Sequence, residues 1–327
     1  MTRIRVLPNL DASAYRRSGL HSDGCDWVEK NCYVDIWIEL VNALGCDPYA
    51  MLPFVVAVDF EGDQWTFFKP PHDELRALYG LDVQELNVWR PLLDHAVEHL
   101  AAGKLISTEA DAFWLPDTQG TDYRSQHTKT TIVIEDIDPG TGTLGYFHNA
   151  GYYQLGGEDF ASLFRIGASP SADFMPLFAE IVRTDRVTLL PPTELATRSF
   201  EFLRHHYRRR PSGNPVNRFS DRFRRDLPDL QCRGLAYYHA WAFATLRQLG
   251  AAFELAALHL QWLTRQNALN AKEAGDAFRL ISTTTKTLLL KVARAVNSGK
   301  SFDPSPTFET LSGCWDHGME RLGRALQ

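Results

Sequence analysis

The sequence predicts an α+β fold in its first half, a cysteine-bearing helix plus a mostly antiparallel sheet, followed by an all-α helical bundle domain. Three observations predict it. Residues 1 to 168 hold short β-like alternating runs with few helical stretches. Residues from about 172 onward carry long segments with helical apolar spacing. Between them lies Gly167-Ala168-Ser169-Pro170-Ser171, a loop-type cluster. The expected domains are therefore 1–168 and 169–327.

In chain order, residues 32–44 read as the first helix. Apolar side chains at 33, 36, 37, 40, 41 and 44 recur at helical spacing, Asn31 suits the N-cap, and Gly45 suits the stop. Pro53 to Phe60 and Gln64 to Lys69 flank Glu61-Gly62-Asp63 and read as a hairpin. Residues 73–79 and 90–102 read as helices, and Lys104 to Leu115 as a strand ended by Pro116. Thr128 to Asp138 and Thr143 to Asn149 flank Pro139-Gly140-Thr141-Gly142, a turn cluster between two clear strands. Segments 173–183, 193–209, 234–265, 271–297 and 308–326 read as bundle helices, punctuated by prolines. Trp241, Phe243, Phe253 and Trp262 are expected in that bundle's core.

A hydrophobic content of 44% and a charged content of 23% are those of an ordinary globular chain. No run of about 18 apolar residues predicts a membrane span. Met1 to Ser22 has no apolar signal core. The five cysteines (25, 32, 46, 232, 314) are odd in number and form no C-x-x-C pair. A disulfide framework or zinc site is not expected, and a reducing cytoplasm is the expected compartment. His95/His99 and His205/His206 read as structural, so no metal is expected. Phosphate-loop, dinucleotide and Gly-x-Ser-x-Gly signatures are absent, and no cofactor is called for.

The net charge of −6 is uneven. Residues 198–225 hold nine arginines against Glu201 and Asp221, a net of +7. The ordinary reading is a solvated, salt-bridged helix face. The functional reading is a dock for an acidic partner or a phosphate, through Arg204, Arg208, Arg209, Arg210, Arg222 and Arg225. An acidic chain with one basic stripe does not suggest nucleic acid.

Cys32 carries the chemistry. As the first helical residue behind an Asn31 cap, it sits where a helix N-terminus favours the thiolate. Backbone N–H groups of that turn suit an oxyanion. Asp26, Glu29 and Asp35 oppose thiolate formation. Cys25 and Cys46 have no helix start behind them. His127 precedes the strand from Thr128, and the hairpin register brings Asn149 within a residue or two of facing it. Cys32, His127 and Asn149 then form a nucleophile, a base and an orienting amide, as in a papain-like site. His148 competes with Asn149, since only one of two adjacent strand residues points into a site. Asn31, Gln64 and Gln126 are the oxyanion candidates. Trp114, Asp117, Tyr123 and His148 are the pocket candidates.

The stretches Asn31 to Trp37, Asp59 to Lys69, Leu115-Pro116-Asp117-Thr118, His127 to Ile132 and Tyr146-Phe147-His148-Asn149 resemble a bacterial domain-of-unknown-function family. That family is associated with genes for amino acid:carrier protein ligases and acyl-CoA-dehydrogenase-like enzymes. More distantly, the order of cysteine helix, D-x-x-x-L-P stretch (Asp111 to Pro116) and histidine strand resembles butirosin biosynthesis protein H and the C39-like cysteine peptidases. The chain departs from the C39-like pattern in having Tyr33 after the cysteine, an amide at the third position and Asp26 in place of a glutamine, which weighs against proteolysis. The resemblance implies transfer of an acyl or aminoacyl group from a carrier-protein thioester to a small amine through Cys32. An acidic carrier with its phosphopantetheine would then dock on the basic segment. A hydrolase (thioesterase, amidase or peptidase) with the same site is the alternative, and a non-catalytic scaffold with a degenerate papain-like fold is the third reading.

Overall fold

The computed structural model describes residues 2–167 and 175–327. The chain forms two compact units. Unit 1 comprises Met1–Gly19, Asn31–Pro48 and Pro71–Leu189; unit 2 comprises Leu20–Lys30, Tyr49–Pro70 and Leu190–Gln327. The α+β class and the C-terminal helical region both appear. The boundary expected at 168/169 lies outside the described residues.

Unit 1 is built on a seven-stranded antiparallel sheet of order β2-β7-β3-β4-β5-β6, with β1 also pairing β4. Its strands are β1 (Ile4–Arg5), β2 (Asp82–Leu86), β3 (Lys104–Asp111), β4 (Lys129–Asp138), β5 (Thr143–His148), β6 (Gly151–Gly156) and β7 (Ala179–Arg183). Helix α1 (Cys32–Ala43) packs on β4, β5 and β6. Helix α2 (His72–Tyr79) packs on β2. Helices α3 (Leu92–Ala101) and α4 (Glu158–Leu163) contribute to a core with Ile132, Ile134, Ile137, Leu144 and Tyr146. Alternation along β4 and β5 turns Val133 and Phe147 to the opposite face, where Tyr15 packs on Phe147 and bonds Glu39 of α1. A bulge between Ile134 and Asp136 shifts the register, so that Ile137 rejoins the face of Ile134.

Three expectations are corrected. Residues 179–183, read as helix, form β7 between β2 and β3; residues 173 and 174 of that segment lie outside the description. The expected hairpin at 53–69 keeps a single bridge, Phe60 to Trp65, and Pro53–Ala57 is a 3-10 helix. That Val-rich run has strand propensity, yet it is buried against two helices of unit 2 and Pro53 sets its first turn. Phe243, expected in the core, is exposed.

Unit 2 holds α5 (Pro192–Arg208), α6 (Pro215–Arg233), α7 (Leu235–Ala242), α8 (Gln248–Arg265), α9 (Lys272–Ser298) and α10 (Ser305–Ala325). The single helix expected at 234–265 is interrupted by a π-helical segment at Phe243–Arg247. Segment 20–30 docks into this unit. The Trp27 indole donates to Ser282 at 3.0 Å and lies where Gly250 has no side chain; a Cβ there would sit 2.2 Å from the ring. No helix among the described residues is long and apolar enough to cross a membrane.

Candidate functional site

Helix α1 begins as the sequence requires. Asn31 Oδ1 accepts from the N–H groups of Tyr33 (3.1 Å) and Val34 (2.9 Å), which makes Cys32 the first helical residue. The Cys32 N–H stays outside that cap. The thiol is half-buried against the start of β4. Burial pushes its pKa up, and Asp35 adds to this; hydrogen bonds from Thr130 and Thr131 pull the other way without winning. At rest Cys32 is therefore a thiol, and a base has to remove its proton for attack.

The buried histidine of the sheet is His148. It closes β5 and is 1% exposed. Its Nε2 lies 2.7 Å from Thr130 Oγ1, and its Nδ1 lies 2.6 Å from Asp117 Oδ2. Asp117 Oδ1 accepts from Tyr146 Oη at 2.5 Å. The carboxylate itself is held rigidly. Pro116 opens a 3-10 turn, and the Thr118 hydroxyl ties that turn to the carbonyls of Ala112 and Leu115. Burial and Asp117 keep Tyr146 a phenol, so it remains a donor. With Asp117 as acceptor, the imidazole proton belongs on Nδ1, and Nε2 is left to accept. The side chains of Thr130, His148, Asp117 and Tyr146 thus run in series.

His127 stands elsewhere. Its Nδ1 lies 2.6 Å from Asp111 Oδ2, its ring stacks on Phe113 at 4.4 Å, and its side chain is 68% exposed. It lines an open cleft of about 780 Å³ with Trp114, Leu163, Ile166 and Leu177. The expected juxtaposition of His127 and Asn149 does not form. Val133 pairs with Phe147 and Asp138 with Thr143, which places the turn centre near 140–141 and carries the partner of His127 past the end of β5. Asn149 takes a φ of +44° in the two-residue connection to β6, a left-handed position that suits asparagine.

The remaining candidates divide. Gln126 is exposed and bonds Asp122 and Thr128. Gln64 belongs to unit 2 and is exposed. Tyr123 donates to Asp159 at 2.9 Å, and Arg124 stacks on Trp114 at 4.7 Å. Sequence reasoning missed Thr130, the buried partner of His148, which as an ordinary strand threonine carries no distinguishing signal. Of the arginines, Arg222 pairs with Asp226 and Arg210 stacks on Tyr207. Arg204, Arg208, Arg209 and Arg225 are exposed and make no ion pair among the described residues. No group of three or more metal-ligating side chains is assembled among the described residues.

Comparison with protein families matches residues 16–184 to the DUF1839 N-terminal domain and residues 192–324 to the DUF1839 C-terminal domain. No curated protein matches the chain.

Proposed function

The chain belongs to the DUF1839 family, and we propose that its N-terminal unit is a papain-like acyl-transfer domain in which Cys32 is the nucleophile. The observation that supports the reading is a cysteine at the capped start of α1 together with the buried His148–Asp117 pair at the end of β5. It supplies a nucleophile, a general base and the carboxylate that orients that base. His148 with Asp117 takes the place that the sequence suggested for His127 with Asn149. The N–H of Cys32 itself, at the start of α1, is the oxyanion donor.

The donor on this reading is an acyl or aminoacyl thioester of a carrier protein. Thioester-to-thioester exchange onto Cys32 is close to isoenergetic, and a small amine then takes the acyl group. The cleft beside β3 and β4 suits the acyl or amine part, because its lining residue Ala110 pairs directly with Thr130. The exposed, unpaired Arg204, Arg208, Arg209 and Arg225 suit an acidic carrier.

The test is intact-mass analysis of the full chain mixed with an alanyl-loaded carrier protein and, separately, with alanyl-N-acetylcysteamine. An adduct of one alanyl group is expected, and it is expected to vanish in Cys32→Ala. An adduct that survives that substitution, or no adduct with either donor, overturns the reading. Turnover of the adduct by water alone, with no gain from added amine, assigns the hydrolase instead. Arg204→Glu/Arg208→Glu/Arg209→Glu is expected to slow reaction with the carrier protein while leaving the small thioester unaffected. Since burial and Asp35 raise the thiol pKa, alkylation of Cys32 by iodoacetamide is expected to climb with pH to a midpoint above that of an ordinary thiol.

A further inference from the structure

We infer that the cleft beside β3 and β4 recognises the amine acceptor, and that this acceptor is an amino acid with an apolar side chain, its carboxylate bound by His127 and Lys129. The inference rests on the acyl-transfer reading for the ligand's role and takes the ligand's chemistry from the lining. Two kinds of group meet there. Trp114, Leu163 and Ile166 make an apolar wall, and His127, Lys129 and Arg165 bring hydrogen-bond donors. Asp111 is the carboxylate among the described lining residues, and both its oxygens are engaged. Oδ2 lies 2.6 Å from His127 Nδ1, and Oδ1 accepts from the Phe113 N–H at 3.1 Å. Lys129 gives one bond to Glu109 at 2.9 Å, and an ammonium has three to give.

The imidazole is held before any ligand arrives. Asp111 fixes Nδ1, and Phe113 stacks on the ring at 4.4 Å and 15°. Nε2 is then the ring nitrogen left for a ligand. An incoming carboxylate favours the imidazolium, whose Nε2–H donates to it. The apolar wall is braced as well. Arg124 stacks on Trp114 at 4.7 Å and is ion-paired to Asp159 of α4. In a thioester the acid group is already bonded to sulfur, so a carboxylate bound in this cleft belongs to the acceptor. A plain alkylamine would bring a cation beside Lys129 and Arg165; an amino acid brings the compensating anion.

The experiment uses the full chain carrying Cys32→Ala and measures binding by ligand-observed NMR titration. The probes are leucine, leucinamide and 3-methylbutylamine, which share the side chain and differ at the carboxylate. Leucine is expected to bind at least about tenfold more tightly than either analogue. Adding His127→Ala or Lys129→Ala is expected to weaken leucine by about tenfold, and Ile166→Asp to abolish binding. All three side chains are exposed, so these substitutions leave the core intact. The charged groups around His127 are Asp111 of β3, Lys129 of β4 and Arg165 after α4. Leucine affinity is expected to fall as the pH rises through the histidine range, about 5–8, and to stay level over that range once His127→Ala is added. Analogues that bind as well as leucine, leucine binding that is unchanged in His127→Ala and Ile166→Asp, or no binding of leucine each overturns the inference. The measurement needs neither Cys32 nor a thioester. Binding without a Cys32 adduct therefore keeps the amino-acid site and removes the transferase, and an adduct without binding does the reverse.

Discussion

Replacing His148 by glutamine is expected to slow acylation of Cys32 by about 10²–10⁴-fold, the range of a lost general base. His127→Gln is expected to stay within a few-fold of wild type. The contrast follows from where the two rings sit. His148 is buried and held between Asp117 and Thr130, whereas His127 lies in the open with Asp111 and Phe113. Asp117→Asn is expected to fall with His148→Gln, because an amide cannot hold the imidazole in the required tautomer with the same certainty. Single-turnover mass analysis, with thermal melts to check folding, reads all three. A rate that collapses in His127→Gln and survives in His148→Gln would falsify the assignment and return the base to His127.

The largest expected loss of stability lies in unit 2, at the buried pair of Lys30 and Glu254. The two side chains are 0% and 1% exposed, with Nζ 3.5 Å from Oε2. Lys30 also donates to the carbonyls of Leu20 (2.5 Å) and Trp27, and Glu254 accepts from the N–H groups of Asp26 (2.6 Å) and Trp27 (3.2 Å). Both ions also bond the backbone of that one loop. Lys30→Met leaves the carboxylate buried without its cation, and about 3–5 kcal/mol is the expected cost. Urea denaturation followed by tryptophan fluorescence measures it, since Trp27 lies at the affected site. A Lys30→Met/Glu254→Leu double variant is expected to recover part of the loss, because no charge is then stranded. A single-variant cost under about 1 kcal/mol would show that the pair is dispensable.

What the sequence disclosed depended on how local the determinant was. Helix α1 was legible because its apolar period, the Asn31 cap and the Gly45 stop all lie within one segment. The β4–β5 hairpin was legible from Pro139-Gly140-Thr141-Gly142. Strand β7 was not, since five residues that belong between two distant strands carry too short a pattern to separate strand from helix. The Val-rich run at 53–58 was misread because burial among helices overrode its propensity. Cys32 stood out through its cap. The His148–Asp117 pair did not, because which of His148 and Asn149 turns inward depends on register, and register depended on a turn centre and on the bulge at Glu135. Thr130 carried no signal at all, threonine being an ordinary strand residue.

The path of the chain between the two units bears on how the protein is made. Segments 20–30 and 49–70 leave the ribosome well before most of the helices they belong with. Asp26 and its acceptor Glu254 are 228 residues apart. At about 5–20 residues per second, the nascent chain holds Trp27, Phe54, Val55 and Val56 without their helical partners for roughly 10–45 s. Unit 1 is free to close as soon as β7 has cleared the tunnel, around Asn31 to Pro48 and with those two apolar loops still waiting. A chain cut between the two halves leaves both loops with nothing to fold onto.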